Sequence, residues 1–151
     1  MKNVQLILTG IVFGLFLQGG MLMAQTEEKS NPNKTTMLAE DEKLVILWTS
    51  GDRDVALKMV FMYTYNAKKN DWWKDITLVV WGPSAKLLTE DSELQEYMQR
   101  IMEVGVEVRA CKGCADQYGV SEKLEALGVT VLYIGKELTD YIKQGRNVLT
   151  I

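Results

Sequence analysis

The 151-residue chain has no histidine, two cysteines and two prolines. Without histidine there can be no Cys–His or Ser–His–Asp arrangement, in which imidazole takes the proton of the nucleophile. Proton transfer falls instead to water, a carboxylate, a lysine or a tyrosine. The same absence leaves a structural zinc site short of ligands, so carboxylates or a second chain would have to complete one. Positive charge is also in slight deficit, 17 Lys and Arg against 20 Asp and Glu. The formal net charge is -3, and no basic field draws nucleic acid. The apolar run from Val4 to Leu17 is short for a membrane span, which takes about 20 residues. No internal repeat is found, and no metal or cofactor is expected.

What is present divides the chain into three parts. "MKNVQLILTGIVFGLFLQGGMLMAQ" begins with one cation, Lys2, runs apolar, and reaches the small residue Ala24. That is the layout of a secretory signal peptide over 1–24, cleaved after Ala24; the alternative is an uncleaved membrane anchor. No cysteine follows the run, which argues against a bacterial lipid anchor. Removing 1–24 takes out Lys2 and no acid, leaving -4. The expected location is periplasmic or secreted, where thiols tend to pair. Residues 25–42 are polar and without period, and read as a flexible tether.

From Lys43 to Ile151, apolar runs alternate with amphipathic stretches. "KLVILWTS" and "DITLVVWG" read as buried parallel strands. "VEVRAC" alternates strictly, so one of its faces is less buried. "VTVLYI" (129–134) and "NVLTI" (147–151) complete five strands. Helices are expected over 55–68, 84–88, 92–104, 121–127 and 138–143, with a short one over 113–118. In the first, Val55, Met59, Met62 and Tyr63 share one face, and the methionines sit mainly at core-like positions. Ser92 and Gln95 form a capping box, and Gly105 stops the helix in a left-handed conformation. Strands joined by helices favour an α/β fold, with a mostly parallel five-stranded sheet between helical layers. Ligands collect beyond the carboxyl ends of such strands. "TSGDRD", "WGPSA" and "CKGCADQYG" all leave from there.

The two cysteines, Cys111 and Cys114, both lie in the last of these segments. Residues three apart in a first helical turn share a face, so the sulfurs can approach. A helix start, Arg109 and Lys112 favour thiolate, whereas Asp116 disfavours it. Three readings fit. A structural disulfide over so short a loop adds about 2 kcal/mol, against about 3 for 15 residues. A metal grip lacks ligands. Thiol chemistry, as disulfide exchange or persulfide carriage, needs a partly exposed thiolate that a second cysteine can resolve. Arg109, Lys112, Asp52 and Trp81 are candidate substrate-binding residues. For the 52–54 cluster the competing reading is a helix start, with Asp54 as N-cap and Arg53 solvated. The cluster's loop lacks the glycine spacing of a phosphate-binding loop. Trp81 could equally pack, and Trp72-Trp73 could be a buried anchor or a subunit contact.

The strand "VEVRAC", the segment "CKGCADQYGV" and the phrases "LVVWGPSAKLL" and "LGVTVLYIGKELTDYI" resemble the DsrE/DsrF-like family of sulfur-relay proteins. The resemblance spans Lys43 to Ile151. It implies a three-layer α/β/α domain, flavodoxin-like in outline, often assembled as homo-oligomeric trimers or hexamers. It also implies that Cys111 accepts a persulfide and passes it on; Cys114 has no equivalent in the simplest carriers, and is expected here as a resolving or auxiliary thiol. The partners would be a sulfur donor or acceptor protein, or a small thiol. The competing classes are a thiol–disulfide oxidoreductase and a non-catalytic binding module with a structural disulfide.

Overall fold

The run KLVILW contains no turn former and becomes β1 (Lys43–Trp48), with four of its six residues fully buried. DITLVV forms β2 (Asp75–Val80), EVRAC β3 (Glu107–Cys111), TVL β4 (Thr130–Leu132) and NVLT β5 (Asn147–Thr150). This computed structural model describes Ala39 and residues 42–151. The expected signal peptide (1–24) and most of the tether (25–42) lie outside the described residues. Every strand pairing is parallel, in the order β4-β3-β2-β1-β5. The expected α/β fold with a five-stranded parallel sheet is therefore present.

Between β1 and β2 run α1 (Arg53–Val55), a π-helical segment (Ala56–Phe61) and α2 (Met62–Lys69). Then come α3 (Pro83–Glu90) and α4 (Ser92–Glu103), followed after β3 by α5 (Lys112–Tyr118) and α6 (Ser121–Ala126). Helix α7 (Ile134–Lys143) links β4 to β5. Crossovers between parallel strands are right-handed, so a chain stepping one way along the sheet keeps its helices on one face. The step from β4 back to β5 reverses direction and puts α7 on the other. The packing follows this division. Leu44, Ile46, Trp48, Ile76, Leu78, Val80, Val108 and Ala110 face Phe61, Leu88, Leu94, Met98 and Leu124 in one large core. Val45, Val79 and Cys111 point the opposite way, against Ile134 and Tyr141 of α7.

Several local expectations change. The N-cap of α4 is Asp91, one residue before Ser92; its Oδ1 accepts from the Leu94 N–H at 3.0 Å. Gln95 does not close a capping box but donates to the Leu88 carbonyl at 3.0 Å. The N-cap of α1 is likewise Asp52, not Asp54, accepting from the Val55 N–H at 3.0 Å. Arg53 is paired as well as solvated: its Nε meets Asp91 at 2.7 Å and its Nη2 meets Glu93. In both cases two cap-competent residues lie close together, and the one whose carboxylate reaches the third backbone N–H takes the cap.

The face of the first helix also differs. Met59 and Met62 are 52% and 50% exposed, while Ala56, Val60, Phe61, Thr64 and Ala67 are buried. The π-helical turn inserts an extra residue, which rotates the following side chains away from the 3.6-residue register. Phe61 thereby enters the core, with its ring 5.1 Å from Trp48 and 5.5 Å from Tyr97, both edge-on. Of the paired tryptophans, Trp73 packs on the core and donates to Tyr63 Oη at 3.1 Å, while Trp72 is exposed. β4 is shorter than expected. Val129 closes the turn after α6 by donating to the Leu124 carbonyl at 3.1 Å, and Ile134 already begins α7.

Two outcomes check this description. Phe61→Ala should lower unfolding stability by about 3–5 kcal/mol, and Met59→Ala by less than about 0.5, in urea titrations. The reverse order would restore the uninterrupted 3.6-residue register. The Asp91 carboxyl is held below its ordinary range, first by the Leu94 N–H and then by Arg53. Its folded value is depressed, so its contribution is complete at neutral pH and is lost as pH falls through that value. The stability gap between wild type and Asp91→Asn should therefore narrow on acidification below about pH 4.

Candidate functional site

The three connections at the carboxyl ends of β1, β2 and β3 meet through backbone contacts. The Trp81 N–H donates to the Trp48 carbonyl at 2.9 Å, tying the ends of β2 and β1. Ser84 is fully buried; its hydroxyl donates to the same carbonyl at 2.7 Å and accepts from the Trp81 N–H at 3.0 Å. A Cβ on Gly51 would stand 3.0 Å from the Pro83 Cβ, tighter than ordinary van der Waals contact, so the first loop passes close against the second. The chain leaves β2 through Gly82 at φ +72° and ψ -134°, a backbone conformation that side-chain-bearing residues rarely adopt. The Gly82 N–H is one of the groups that act on the Cys114 thiol of the third connection.

Cys111 is the last residue of β3 and the N-cap of α5, with no capping bond from its side chain. Helical geometry puts Cys114 at the third position of that helix, where side chains reach back toward the N-cap. Both are free thiols, and both pack in the cluster beneath α7. Cys111 is 9% exposed, at the rim of the cluster beneath α7. Cys114 is partly buried, and its thiol is pushed up, chiefly by burial and then by Cys111; the Gly82 N–H acts in the opposite direction. Cys114 therefore keeps its proton near neutral pH.

Around this pair, Trp81 packs partly buried in the same cluster as both cysteines, together with Leu132 and Leu138. Arg109 shares the strand face of Cys111, two residues earlier. Its guanidinium is held by Glu107 at 2.6 Å and by Glu137 of α7. Glu137 also accepts from Tyr141 Oη at 2.9 Å. The Tyr141 hydroxyl is pushed up, mainly by burial. Lys112 lies at the solvent side of the helix start, 2.9 Å from Asp116 and over the exposed Tyr133 ring at 6.0 Å. Its ammonium is pushed up, first by the Asp116 hydrogen bond. Asp52 is occupied as the N-cap of α1. The structure thus gathers Cys111, Cys114 and Trp81 in one cluster, sets Arg109 and Lys112 beside it in ion pairs, and gives Asp52 a capping bond.

Sequence reasoning passed over Gly82, Ser84 and Glu137. Gly82 was visible as the glycine of a Gly-Pro break. Nothing in the local pattern linked it to a sulfur some thirty positions on. Glu137 sits one turn into a helix whose start was expected at Leu138.

Residues 42–151 match the DsrE/DsrF-like family. Among solved structures, the chain is similar to the conserved protein of unknown function BT1422 from Bacteroides thetaiotaomicron. The two are 36% identical, with a TM-score of 0.73 over 76% of this chain and 99% of that one. The ychN protein from E. coli is similar in fold, at 19% identity and a TM-score of 0.58, over 72% of this chain and 98% of its own. No curated protein matches the chain.

Because Glu137 joins α7 to Arg109 beside Cys111, Glu137→Ala should loosen the helix. Stability should fall by roughly 1–3 kcal/mol, less than a fully buried pair costs. Alkylation of Cys111 under native conditions should quicken several-fold, read by peptide mass spectrometry. An unchanged alkylation rate would mean that α7 does not limit access.

Proposed function

We propose that this chain, which belongs to the DsrE/DsrF-like family, carries sulfur as a persulfide on Cys111. Family membership points to sulfur relay in general terms. The observation that supports the specific residue is the placement of Cys111 at the carboxyl end of β3, rimmed by apolar side chains and in one cluster with a second thiol. Such a position suits a carrier. The terminal sulfur of a persulfide extends outward from a side chain that is itself only 9% exposed, so the inner sulfur is shielded while the outer one is offered.

Loading and unloading are both exchange reactions. The Cys111 thiolate attacks the outer sulfur of a donor persulfide. The donor leaves as a thiolate, and Cys111 bears one more sulfur. An acceptor thiolate then attacks that outer sulfur, and Cys111 leaves as a thiolate. Electrons and atoms balance without an external oxidant or reductant. Lys112, on the solvent side, gives approaching anionic thiolates a positive charge. The pattern of residues 1–24 supports export, which would put the donor and acceptor outside the cytoplasm.

Incubating the full chain with glutathione persulfide should add about 32 Da, one sulfur, to the peptide bearing Cys111. Cys111→Ser should abolish the adduct. An adduct that survives in Cys111→Ser, or none in the wild type while iodoacetamide still reaches the thiol, would overturn the proposal. Turnover of dithiol and disulfide substrates instead would favour an oxidoreductase.

A further inference from the structure

We propose that the outer edge of β5 is the surface through which two copies of this chain pair about a two-fold axis. An edge strand offers a row of N–H and C=O groups to any passing strand, and proteins blunt such edges with charge, proline, a bulge or shortness. The sheet ends in β4 on one side and β5 on the other. β4 is blunted by its length of three residues. β5 reads NVLT, with no charge and no proline, and among the described residues no strand lies on its outer side. Ile151 just beyond it donates to the Leu47 carbonyl at 2.9 Å and accepts from the Thr49 N–H at 2.7 Å, so its backbone faces β1. Alternation along the strand turns the backbone of Leu149 toward β1 as well, and those of Val148 and Thr150 outward.

The side chains beside that edge are apolar and uncovered. Leu149 is in register with Ile46, which puts it on the face of the larger core, yet it is exposed. Together with Met59, Met62 and Tyr63 it lines an open groove of about 380 Å³. The π-helical turn that sends Phe61 inward leaves both methionines on the surface here. Tyr63 extends the stripe to the exposed Trp72, with ring centroids 6.1 Å apart. The cation at the groove, Lys58, is paired with Asp54 at 3.0 Å. Methionine, tyrosine and tryptophan gathered in a patch with so little charge have the composition of a protein interface centre.

A second copy fits this surface because the edge is complementary to itself. With the axis at Leu149, antiparallel pairing sets Val148 opposite the partner's Thr150 and Thr150 opposite the partner's Val148, so the outward backbone groups of both meet. Leu149 stands opposite the partner's Leu149 as a close, non-hydrogen-bonded pair. That pair lies between the methionine-lined grooves of the two copies and closes them over one apolar centre. A two-fold contact uses the same patch on both copies, so it satisfies both β5 edges at once. The two Cys111 residues then lie about seven strand spacings apart, roughly 34 Å, at strand ends that point in opposite directions. Pairing therefore leaves each thiol site independent and open.

Sedimentation velocity on the chain as the cell processes it should give the mass of two copies, or an even multiple, at micromolar concentration. Leu149→Lys sets like charges opposite each other at the axis and should weaken association roughly tenfold or more. Thr150→Pro removes an outward N–H, where an edge strand tolerates proline, and should act in the same direction. Ile142→Lys places the same charge on an exposed apolar residue of α7 and should leave association unchanged. An unchanged rate of Cys111 alkylation by iodoacetamide shows that the variants keep their fold. In a Cys111→Ser, Cys114→Ser background, Leu149→Cys should cross-link two copies on mild oxidation, because Cα atoms about 4.5 Å apart lie within disulfide reach. Thr150→Cys should not. A trimer, an assembly indifferent to Leu149→Lys, or one dissociated by Ile142→Lys instead would overturn the proposal. So would a monomer throughout, which would leave the groove to residues 25–42 or to another protein.

Discussion

The handedness of the β–α–β crossover sets the character of this molecule. Three successive steps in one direction lay every helix before α7 on one face of the sheet, and the single reversal to β5 leaves one helix for the other. The first face acquires a thick core around Trp48, Phe61, Leu88, Met98 and Leu124. The second acquires a thin layer in which Ile134, Leu138 and Tyr141 cover Val45, Val79 and Cys111. A cysteine on the thick side would be sealed. On the thin side, at the strand's carboxyl end, it lies at a rim with one helix over it.

That thin layer is held by charge as well as by apolar contact. Arg109 on β3 joins Glu137 on α7, Tyr141 donates to the same carboxylate, and Arg146 lies over the Tyr141 ring at 4.3 Å while reaching Asp75 at 3.7 Å. The charged groups are partly exposed, so each ion pair contributes less than its geometry suggests. Their collective effect is to keep α7 in register over the sheet. The polar contacts lie along the strand from the cysteines, and the apolar ones lie beside them. Reactivity and attachment of the covering helix are therefore adjacent but carried by different side chains.

Much of the architecture was legible because strands and helices here differ in period and in punctuation. KLVILW and DITLVV can be little else than buried strands, and Gly105 and Gly145 do end segments with positive φ. The exceptions share a cause: the competing choices were locally equivalent. Ser92 and Asp91 are both good caps, and the Asp91 carboxylate reaches the Leu94 N–H while also meeting Arg53 of α1. Met59 and Phe61 are both apolar, and a π-helical turn with no local sequence marker decided which one the core received. The run VTVLYI looked continuous, but Ile134 was claimed by the cluster under α7.

The candidate site divides the same way. Residue types and spacing alone determined that there are two thiols three positions apart at a strand-to-helix junction, and that no imidazole is present to serve them. Periodicity alone determined a parallel α/β sheet. Only the tertiary structure decided that Trp81 and Ser84, from the neighbouring connection, would bond to the Trp48 carbonyl, and that Arg109 would be held by a carboxylate from α7. Hydrophobic patterning specifies which face of an element is buried, over a few residues at a time. Hydrogen bonds and ion pairs across the sheet depend on which strands become neighbours, and strand order is a property of the whole chain.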